Sequence, residues 1–546
     1  MSRRLLIYVL ATISLFFATV SFWTSGFKTS AATVPTRPKL VIIIIIDQFR
    51  NDYLDRFRPY FVEGGFNRLL SGARFANCRY DYAVTATGPG HATLLTGTYP
   101  NIHGIIENEW YDRSLKRPVN CVEDLNTKVV DSAHGPGEER GASPQYLLGS
   151  TLGDELRLAS GFQSKVVSIS LKDRGAILPG GHAANAAYWY QPRTGRFISS
   201  TYYMTALPQW VSEFNDGAPS KEYCGKAWSA LPITPGAGEK TLGEIKVASS
   251  EACPNSRFLA WLNGTPFISE LELKFAREAV RNEKLGQGTA TDLLTVSLSA
   301  NDFIGHAYGP YSPQVSDMTL RTDRYLAAFF AEIDRLVGLG NVWIVLSADH
   351  GVAPTPKTIR EQRLGLGLFR PSSVREALAA SLSGTFGPDN WIDAVDIPYV
   401  YLNQNALARH QVSRESAESA AATAAATVPG IFASFTGTEI LREGGSAFGL
   451  SRKVSNSFFS RRSGDVFLIL DPFAVPSGGE TETTHGSPWS YDASVPLIFW
   501  GSQFKSGTID IPCQPIDLVP TLAAALGLNV PSGSTGTPLA VALASK

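Results

Sequence analysis

Three separate stretches of this chain run apolar and then stop on an aspartate. Val41-Ile-Ile-Ile-Ile-Ile46 ends at Asp47, Leu293-Leu-Thr-Val-Ser-Leu298 reaches Asp302 after a short spacer, and Val342-Trp-Ile-Val-Leu346 runs into Asp349-His350. Continuous apolar runs rich in β-branched residues are what parallel strands need when helices cover both faces of their sheet. Open α/β sheets bind ligands beyond the carboxyl ends of their strands. Three carboxylates delivered to that edge, with histidines close by, predict a metal site there.

At 546 residues the chain is too long for one small core and predicts one large domain with insertions, or two domains. Its 48 basic and 49 acidic residues nearly cancel, so nothing suggests a polyanion-binding surface, and a nucleic-acid scaffold is disfavoured. A small phosphate-bearing substrate stays compatible. The 49 Gly and 33 Pro fit a loop-rich α/β enzyme rather than a disordered chain.

Residues 1–32 read as a secretory signal. Arg3 and Arg4 precede an apolar run from Leu5 to Val20, and small residues Ser30, Ala31 and Ala32 follow. The rival is an uncleaved anchor, since the apolar stretch through Trp23 approaches spanning length. Either reading puts the folded part outside the cytoplasm, with no stable membrane partner unless the signal is kept. An oxidising compartment permits local bridges Cys78–Cys121 and Cys224–Cys253, leaving Cys513 unpaired.

Within an expected catalytic domain at 38–546, Lys39–Asp47 is the first strand and a helix follows around Phe61–Leu70. Thr85-Ala-Thr-Gly-Pro-Gly-His-Ala-Thr-Leu-Leu-Thr-Gly97 reads as a loop turning into a helix, with Pro89 suited to its first position. The stretch from Met204 to Phe267 is rich in Trp, Pro, Gly and Ser and lacks periodicity; it predicts an insertion or cap at about 204–290. Pro313–Leu339 is a helix with Leu326, Phe329, Phe330, Ile333 and Val337 on one face, ended by Gly338 and Gly340. It leads into the strand at Val342, a strand–helix–strand unit and so a parallel pair with a right-handed crossover. Ala417–Thr427 reads as a surface helix without chemistry, Val495–Trp500 as a buried strand, and Ile516–Leu526 as a closing helix.

The candidate ligands follow the strands. Asp302 and His306 share a face if their segment turns helically. Asp349-His350-Gly351 supplies a second pair, where glycine lets the backbone bend. His485 adds a nitrogen from a Gly/Ser loop. With Asp47 these make three carboxylates and three imidazoles, the inventory for two zinc ions with mixed N/O ligands. The other histidines, His91, His103, His134, His182 and His410, read as structural or surface residues. The nucleophile should lie at the same edge. Thr87 is the candidate, because it precedes Gly88-Pro89-Gly90 and a helix start whose N–H groups would bind phosphate oxygens. Thr85 competes with it, and Thr87 as a mere N-cap is the bland alternative.

Ile46-Asp47, Thr87-Gly-Pro-Gly-His91, His103-Gly-Ile-Ile-Glu-Asn108, Leu171-Lys-Asp-Arg-Gly175, Asp302 with His306, Asp349-His-Gly351 and His485-Gly486, in this order, resemble the alkaline phosphatase superfamily. Within it the chain resembles the nucleotide pyrophosphatase/phosphodiesterase-like branch, and there the periplasmic bacterial alkaline phosphatases that use threonine. The resemblance implies an alkaline-phosphatase-like α/β core with a central, mostly parallel sheet flanked by helices, and insertion or cap segments. It implies that Thr87 attacks phosphorus and is phosphorylated, and that the phosphothreonine is then hydrolysed. Asp47, Thr87, Asp349 and His350 would hold one Zn2+, and Asp302, His306 and His485 the other. Asn108 would donate to a non-bridging phosphate oxygen.

Lys172 and Arg174 would mark a monoesterase, because two cations compensate the second negative charge that a monoester carries and a diester lacks. The triplet would put both side chains on one side if locally extended. The expected function is a periplasmic or secreted, zinc-dependent phosphomonoesterase acting on small phosphate esters as a monomer or weak oligomer. The alternative is a phosphodiesterase or nucleotide pyrophosphatase of the same branch. A sulfatase would need cysteine or serine where only threonines stand. A phosphoglycerate mutase would use manganese, serine and the cytoplasm. A binding protein or pseudoenzyme would not need Thr87 and Asn108.

Overall fold

The seven residues Leu40–Ile46 are all buried, so this strand has no solvent face and must lie inside a sheet covered on both sides. In the computed structural model of the chain it does. Described are residues 37–544, except 133, 234–240, 246, 248–252, 366, 444–448 and 478–481. The expected signal at 1–32 lies outside the described residues. We label the parallel centre β1 (Leu40–Ile46), β2 (Val166–Ser170), β3 (Asp292–Leu298) and β4 (Val342–Ser347). β1 lies between β3 and β4, parallel to both, and β2 continues the parallel order beside β3.

These strands belong to an eleven-stranded sheet. Antiparallel strands extend it on both sides, Leu497–Trp500 next to β4 and Arg196–Ser200 beyond Ala186–Gln191. The α/β class holds, but the parallel character is concentrated at the centre of a mixed sheet. Ile46 is opposite Leu298, Ile45 opposite Ser347 and Ser170 opposite Ser297. The chain therefore leaves four neighbouring strands at one level, and that level carries the candidate site.

Five helices matter for the site: α1 (Thr87–Thr96), α2 (Asp173–Gly180), α3 (Phe267–Asn282), α4 (Ala300–Tyr308) and α5 (Pro313–Val337). The Ser312 side chain accepts from the Val315 amide to start α5, and Gly338 at φ 82° ends it. α5 leads into β4 as expected. However, β1 stands between β3 and β4, so the crossover skips a strand and the expected adjacent pair is not formed. Three other local expectations need correction. The helix near 61–70 is confined to Phe66–Leu70 after a short turn at Arg58–Tyr60. Ala86 is the residue before α1, so Pro89 is the third helical residue and Thr87 the first, not the cap. The Ala-rich helix is Arg414–Ala425, and Ala417, Ala421 and Ala425 are buried at four-residue spacing rather than exposed.

A second, four-stranded sheet runs Ile392–Asp396, Tyr399–Leu402, Val466–Leu470, Ile431–Thr436 in spatial order. The Ala-rich helix packs on it with Val374, Leu378 and Leu382 to form a separate small core. Sequence reading did not find this unit. In the Trp-rich stretch, Phe275 of α3 packs against Phe197, Tyr188, Trp210 and Phe214. Trp228 Nε1 donates to Asp317 Oδ2 of α5 at 2.7 Å. Cys224 and Cys253 are bridged, as expected. Cys78 and Cys121 are not; Cys78 instead faces Cys513 across an isolated β-bridge.

Candidate active site

Asp47 follows the last residue of β1, Asp349 lies two residues beyond β4, and Asp302 occupies the first turn of α4 just past β3. Lys172, two residues beyond β2, closes the group. Its Nζ is 2.6 Å from Asp47 Oδ2, 2.6 Å from Asp302 Oδ2 and 3.4 Å from Thr87 Oγ1. Burial favours the neutral amine, but Asp302 and Asp47 together outweigh it and raise the Lys172 pKa. The lysine is therefore an ammonium held between the carboxyl groups of Asp47 and Asp302. Thr85 Oγ1 donates to the Ser487 carbonyl at 2.8 Å, so of the two threonines it is Thr87 that faces the charged cluster.

α1 can seat this close only because Gly90 lacks a side chain. A methyl there would enter the Asp349 carbonyl oxygen and come within 2.6 Å of its Cβ. Asn108 is oriented by its own amide, since Oδ1 accepts from the Gly88 amide at 2.7 Å and leaves the Nδ2 donors for a ligand. The Lys172-Asp173-Arg174 triplet is not extended throughout. Lys172 has strand dihedrals, but Asp173 starts α2, so Arg174 sits on a helical turn. Its guanidinium lies 3.7 Å from Asp173 Oδ1, close enough to Asp47 and Asp302 to feel their charge.

The three candidate imidazoles share one arrangement. His306 Nδ1 is 2.7 Å from the Thr483 carbonyl, His350 Nδ1 2.9 Å from that of Gly351, and His485 Nδ1 2.8 Å from that of Thr85. A carbonyl oxygen only accepts, so each Nδ1 carries the hydrogen and each ring turns its Nε2 inward. His306 Nε2 and His485 Nε2 lie 3.2 and 3.7 Å from Asp302 Oδ1, and His350 Nε2 lies 3.5 Å from Asp47 Oδ1. Burial lowers the pKa of His350, and burial followed by the neighbouring His350 and His306 lowers that of His485 well below the usual value, which keeps both rings neutral. His350 and His485 stack at 3.5 Å between centroids.

Two groups of side chains place one ligand atom each within 4.8 Å of one another: Asp47, Asp349 and His350, and Asp302, His350 and His485. Asp47 Oδ1, Asp349 Oδ2 and His350 Nε2 are buried without a hydrogen-bond partner. Buried orphan acceptors of this kind are costly unless a cation meets them. The donor set, hard carboxylate oxygens with imidazole nitrogens, suits zinc-like divalent ions. His350 belongs to both groups, and His306 stands beside the second through Asp302 Oδ1.

Burial, reinforced by Asp302 and Asp349, raises the Asp47 pKa well above the carboxylate range. For Asp302 burial pushes the same way, yet Lys172 and His306 outweigh it and lower its pKa. The remaining histidines divide as expected in kind. His134 and His182 are exposed, His410 pairs with Asp389 at the surface, and His103 is buried. His91 is buried and supports the site, with Nε2 2.7 Å from Ser297 Oγ and Nδ1 2.8 Å from the Thr87 carbonyl.

Sequence reasoning missed Gln48. It holds φ 61°, its amide donates to Asp349 Oδ1 at 3.0 Å, and its Nε2 donates to Asp302 Oδ1 at 2.7 Å. One residue thus straps two carboxylates from different strands. Asn301 Nδ2 donates to the Asp47 carbonyl at 2.8 Å. Asp492 joins two loops: its carbonyl accepts from the Gly351 amide at 2.7 Å and its carboxylate from the Ser487 amide at 3.0 Å. No spacing in the sequence announces these contacts.

A cavity of about 350 Å3 opens beside the cluster. Asn108, His306, His485 and Glu107 give its polar wall, while Ile397, Pro398 and Leu468–Leu470 of the second sheet give its apolar one. Among the described residues, none from 204–290 lines it.

Fold and site together define an α/β protein with a carboxylate–imidazole cluster suited to a metal beside a threonine hydroxyl at a helix N-terminus. The chain belongs to the type I phosphodiesterase/nucleotide pyrophosphatase family, whose model matches residues 41–488. It is 35% identical to alkaline phosphatase PafA of Elizabethkingia meningoseptica over 526 residues, covering 94% of this chain and 95% of that one. The crystal structure of PafA superposes with a TM-score of 0.85 at 33% identity, covering 93% of this chain and 99% of the other. Alkaline phosphatase PhoV of Synechococcus elongatus is 36% identical over 519 residues, 92% of each chain. A Myroides odoratus protein named calcium-transporting ATPase is 36% identical over 544 residues, 95% of this chain and 97% of that one.

Proposed function

We propose that this chain is a two-zinc phosphomonoesterase that works through a phosphothreonine on Thr87. The observation that carries the reading is the meeting of Thr87 Oγ1, Lys172 Nζ, Asp47 and Asp302 at the first turn of α1. Asp47, Asp349 and His350 would hold one ion beside Thr87, and Asp302, His485 and His306 the other. Bound ions would supply charge for the phosphoryl oxygens and a lowered pKa for the attacking hydroxyl.

The chain's own groups do the rest. Thr87 Oγ attacks phosphorus, the bond from phosphorus to the ester oxygen breaks, and the alcohol leaves. Water then attacks the phosphothreonine, releasing phosphate and restoring the hydroxyl. The first amides of α1 and the Asn108 Nδ2 donors would bind non-bridging oxygens. Lys172 and Arg174 would balance the dianion of a monoester. The relatives named alkaline phosphatases support this substrate class. Among the described residues no helix is long and apolar enough to cross a membrane. We place the folded protein in the periplasm or outside a bacterial cell, a reading that the Cys224–Cys253 bridge supports.

The family description favours a second reading, cleavage of diesters or pyrophosphates. Lys172→Ala separates the two. Losing one charge-assisted contact, worth about 1.5–3 kcal/mol, should lower kcat/KM for an aryl phosphate monoester by about ten- to a hundredfold. The aryl diester rate should change far less, with zinc content measured in the same samples. Equal loss on both substrates would remove the discriminating role and favour the diesterase reading.

A further inference from the structure

Cys78 and Cys513 come from opposite ends of the chain and meet as parallel β-bridge partners. The Arg79 amide donates to the Cys513 carbonyl at 3.1 Å, and the Cys513 amide donates to the Asn77 carbonyl at 3.0 Å. This pairing fixes the two Cα atoms one strand spacing apart, about 5 Å. A disulfide spans Cα separations of about 4.4–6.8 Å, and this pairing falls within that range. Both residues are buried. The chain already carries one bridge, Cys224–Cys253, so the conditions that make it also act on this pair. Cys121 lies elsewhere, packed against Gly88 at the start of α1.

We infer that Cys78 and Cys513 form a second disulfide, which clamps the segment running into Thr87 onto the C-terminal segment behind the same helix. Cys78 lies nine residues before Thr87. Cys513 leads directly into the turn Pro515–Asp517 and the helix Leu518–Leu526, both packed against α1. Farther along, the Thr535 and Gly536 amides donate to the Gly97 carbonyl at the other end of α1, at 2.9 and 3.1 Å. A covalent tie at Cys78–Cys513 would hold both sides of the nucleophile helix to one C-terminal strap.

The oxidant is a disulfide, R–S–S–R: a dithiol oxidase of the exporting compartment, or oxidised glutathione in vitro. The thiolate of one cysteine attacks an oxidant sulfur and releases one R–SH. The other cysteine then attacks the mixed disulfide and releases a second R–SH. Two electrons pass to the oxidant, and the two thiol protons end on the two R–SH products. Burial disfavours the Cys78 thiolate in the folded chain, so the exchange belongs to folding, before the pair is covered.

The test refolds the full chain in a glutathione redox buffer until Cys224–Cys253 is fully oxidised, then denatures and alkylates it without reductant. Peptide mass mapping should find one alkylated thiol per chain, at Cys121, and the Cys78 and Cys513 peptides linked. Three alkylated thiols, or a link from Cys78 to Cys121, would overturn the inference. The clamp is read separately: reductant should lower the thermal midpoint of the wild-type chain more than that of Cys513→Ala, which keeps the other bridge. Equal drops would overturn the clamping role.

Discussion

Gln48 offers the most direct handle on how the chain holds its carboxylates. Its side chain gives one buried hydrogen bond to the charged Asp302, and its backbone amide gives another to Asp349. Gln48→Ala removes the first and keeps the second. A hydrogen bond to a charged buried group is worth about 1.5–3 kcal/mol, and the emptied volume adds to that loss. Partners that orient metal ligands change affinity by about ten- to a hundredfold when removed. Gln48 also carries a left-handed backbone, which costs an L-residue about 1–2 kcal/mol and glycine almost nothing.

Gln48→Gly should therefore lose the same side-chain bond yet recover part of the strain. The expected order of stability is wild type, then Gly, then Ala, with the last two close together. Denaturant unfolding in excess chelator reads the protein without ions, and competition with a chromophoric chelator reads zinc affinity. Both variants should bind zinc more weakly by the same factor. The reasoning fails if Gln48→Ala retains wild-type zinc affinity. It fails equally if the glycine variant is clearly less stable than the alanine one, because strain at residue 48 would then be absent.

Gly90→Ala should drive a methyl into the Asp349 backbone and destabilise the chain by about 1–3 kcal/mol, with activity falling in step as α1 shifts; a wild-type melting curve and rate would contradict the close approach. Glu107, beside Asn108 in the cavity, has its pKa pushed up to about 8, chiefly by burial. A raised carboxyl pKa contributes stability below its unfolded value that is lost as pH rises through the folded one. Wild type should thus lose stability relative to Glu107→Gln between about pH 5 and about pH 9, measured by denaturant unfolding, and a difference independent of pH would refute it.

The central strands were legible because burial on both faces leaves no polar alternation to confuse with a helix: Leu40–Ile46 can be little else. Their shared end was legible for the same reason, since an aspartate follows each run within a few residues. What lay beyond the strand ends was less so. The order β4-β1-β3 depends on which strands meet in space, and helix α5 gives no sign that β1 will slip between its two neighbours. The second sheet escaped because Ile392–Asp396 is half polar and Tyr399–Leu402 only four residues long. They become strands by pairing onward to Val466–Leu470, a contact far away in the chain.

The Ala-rich helix misled by composition. Its small residues at four-residue spacing are a packing stripe, a signal that was present and went unused. Cys78 misled by proximity, because the nearest cysteine in sequence was not the nearest in space. Among the candidate site residues, the carboxylates and imidazoles could be read because their side chains are ones a metal would need and several stand just past strand ends. Gln48 could not, since neither its left-handed backbone nor its double attachment follows from any local pattern.

The phosphorylated intermediate tests the account at its centre. The zinc-loaded chain is mixed with an aryl phosphate monoester, quenched in acid within a turnover, and mapped by peptide mass. The account predicts one phosphoryl group, on Thr87, which disappears with Thr87→Ala and after exhaustive chelation and returns when zinc is restored. A phosphoryl group on Thr85 or elsewhere, or a full hydrolytic rate in the chelated protein, would contradict it.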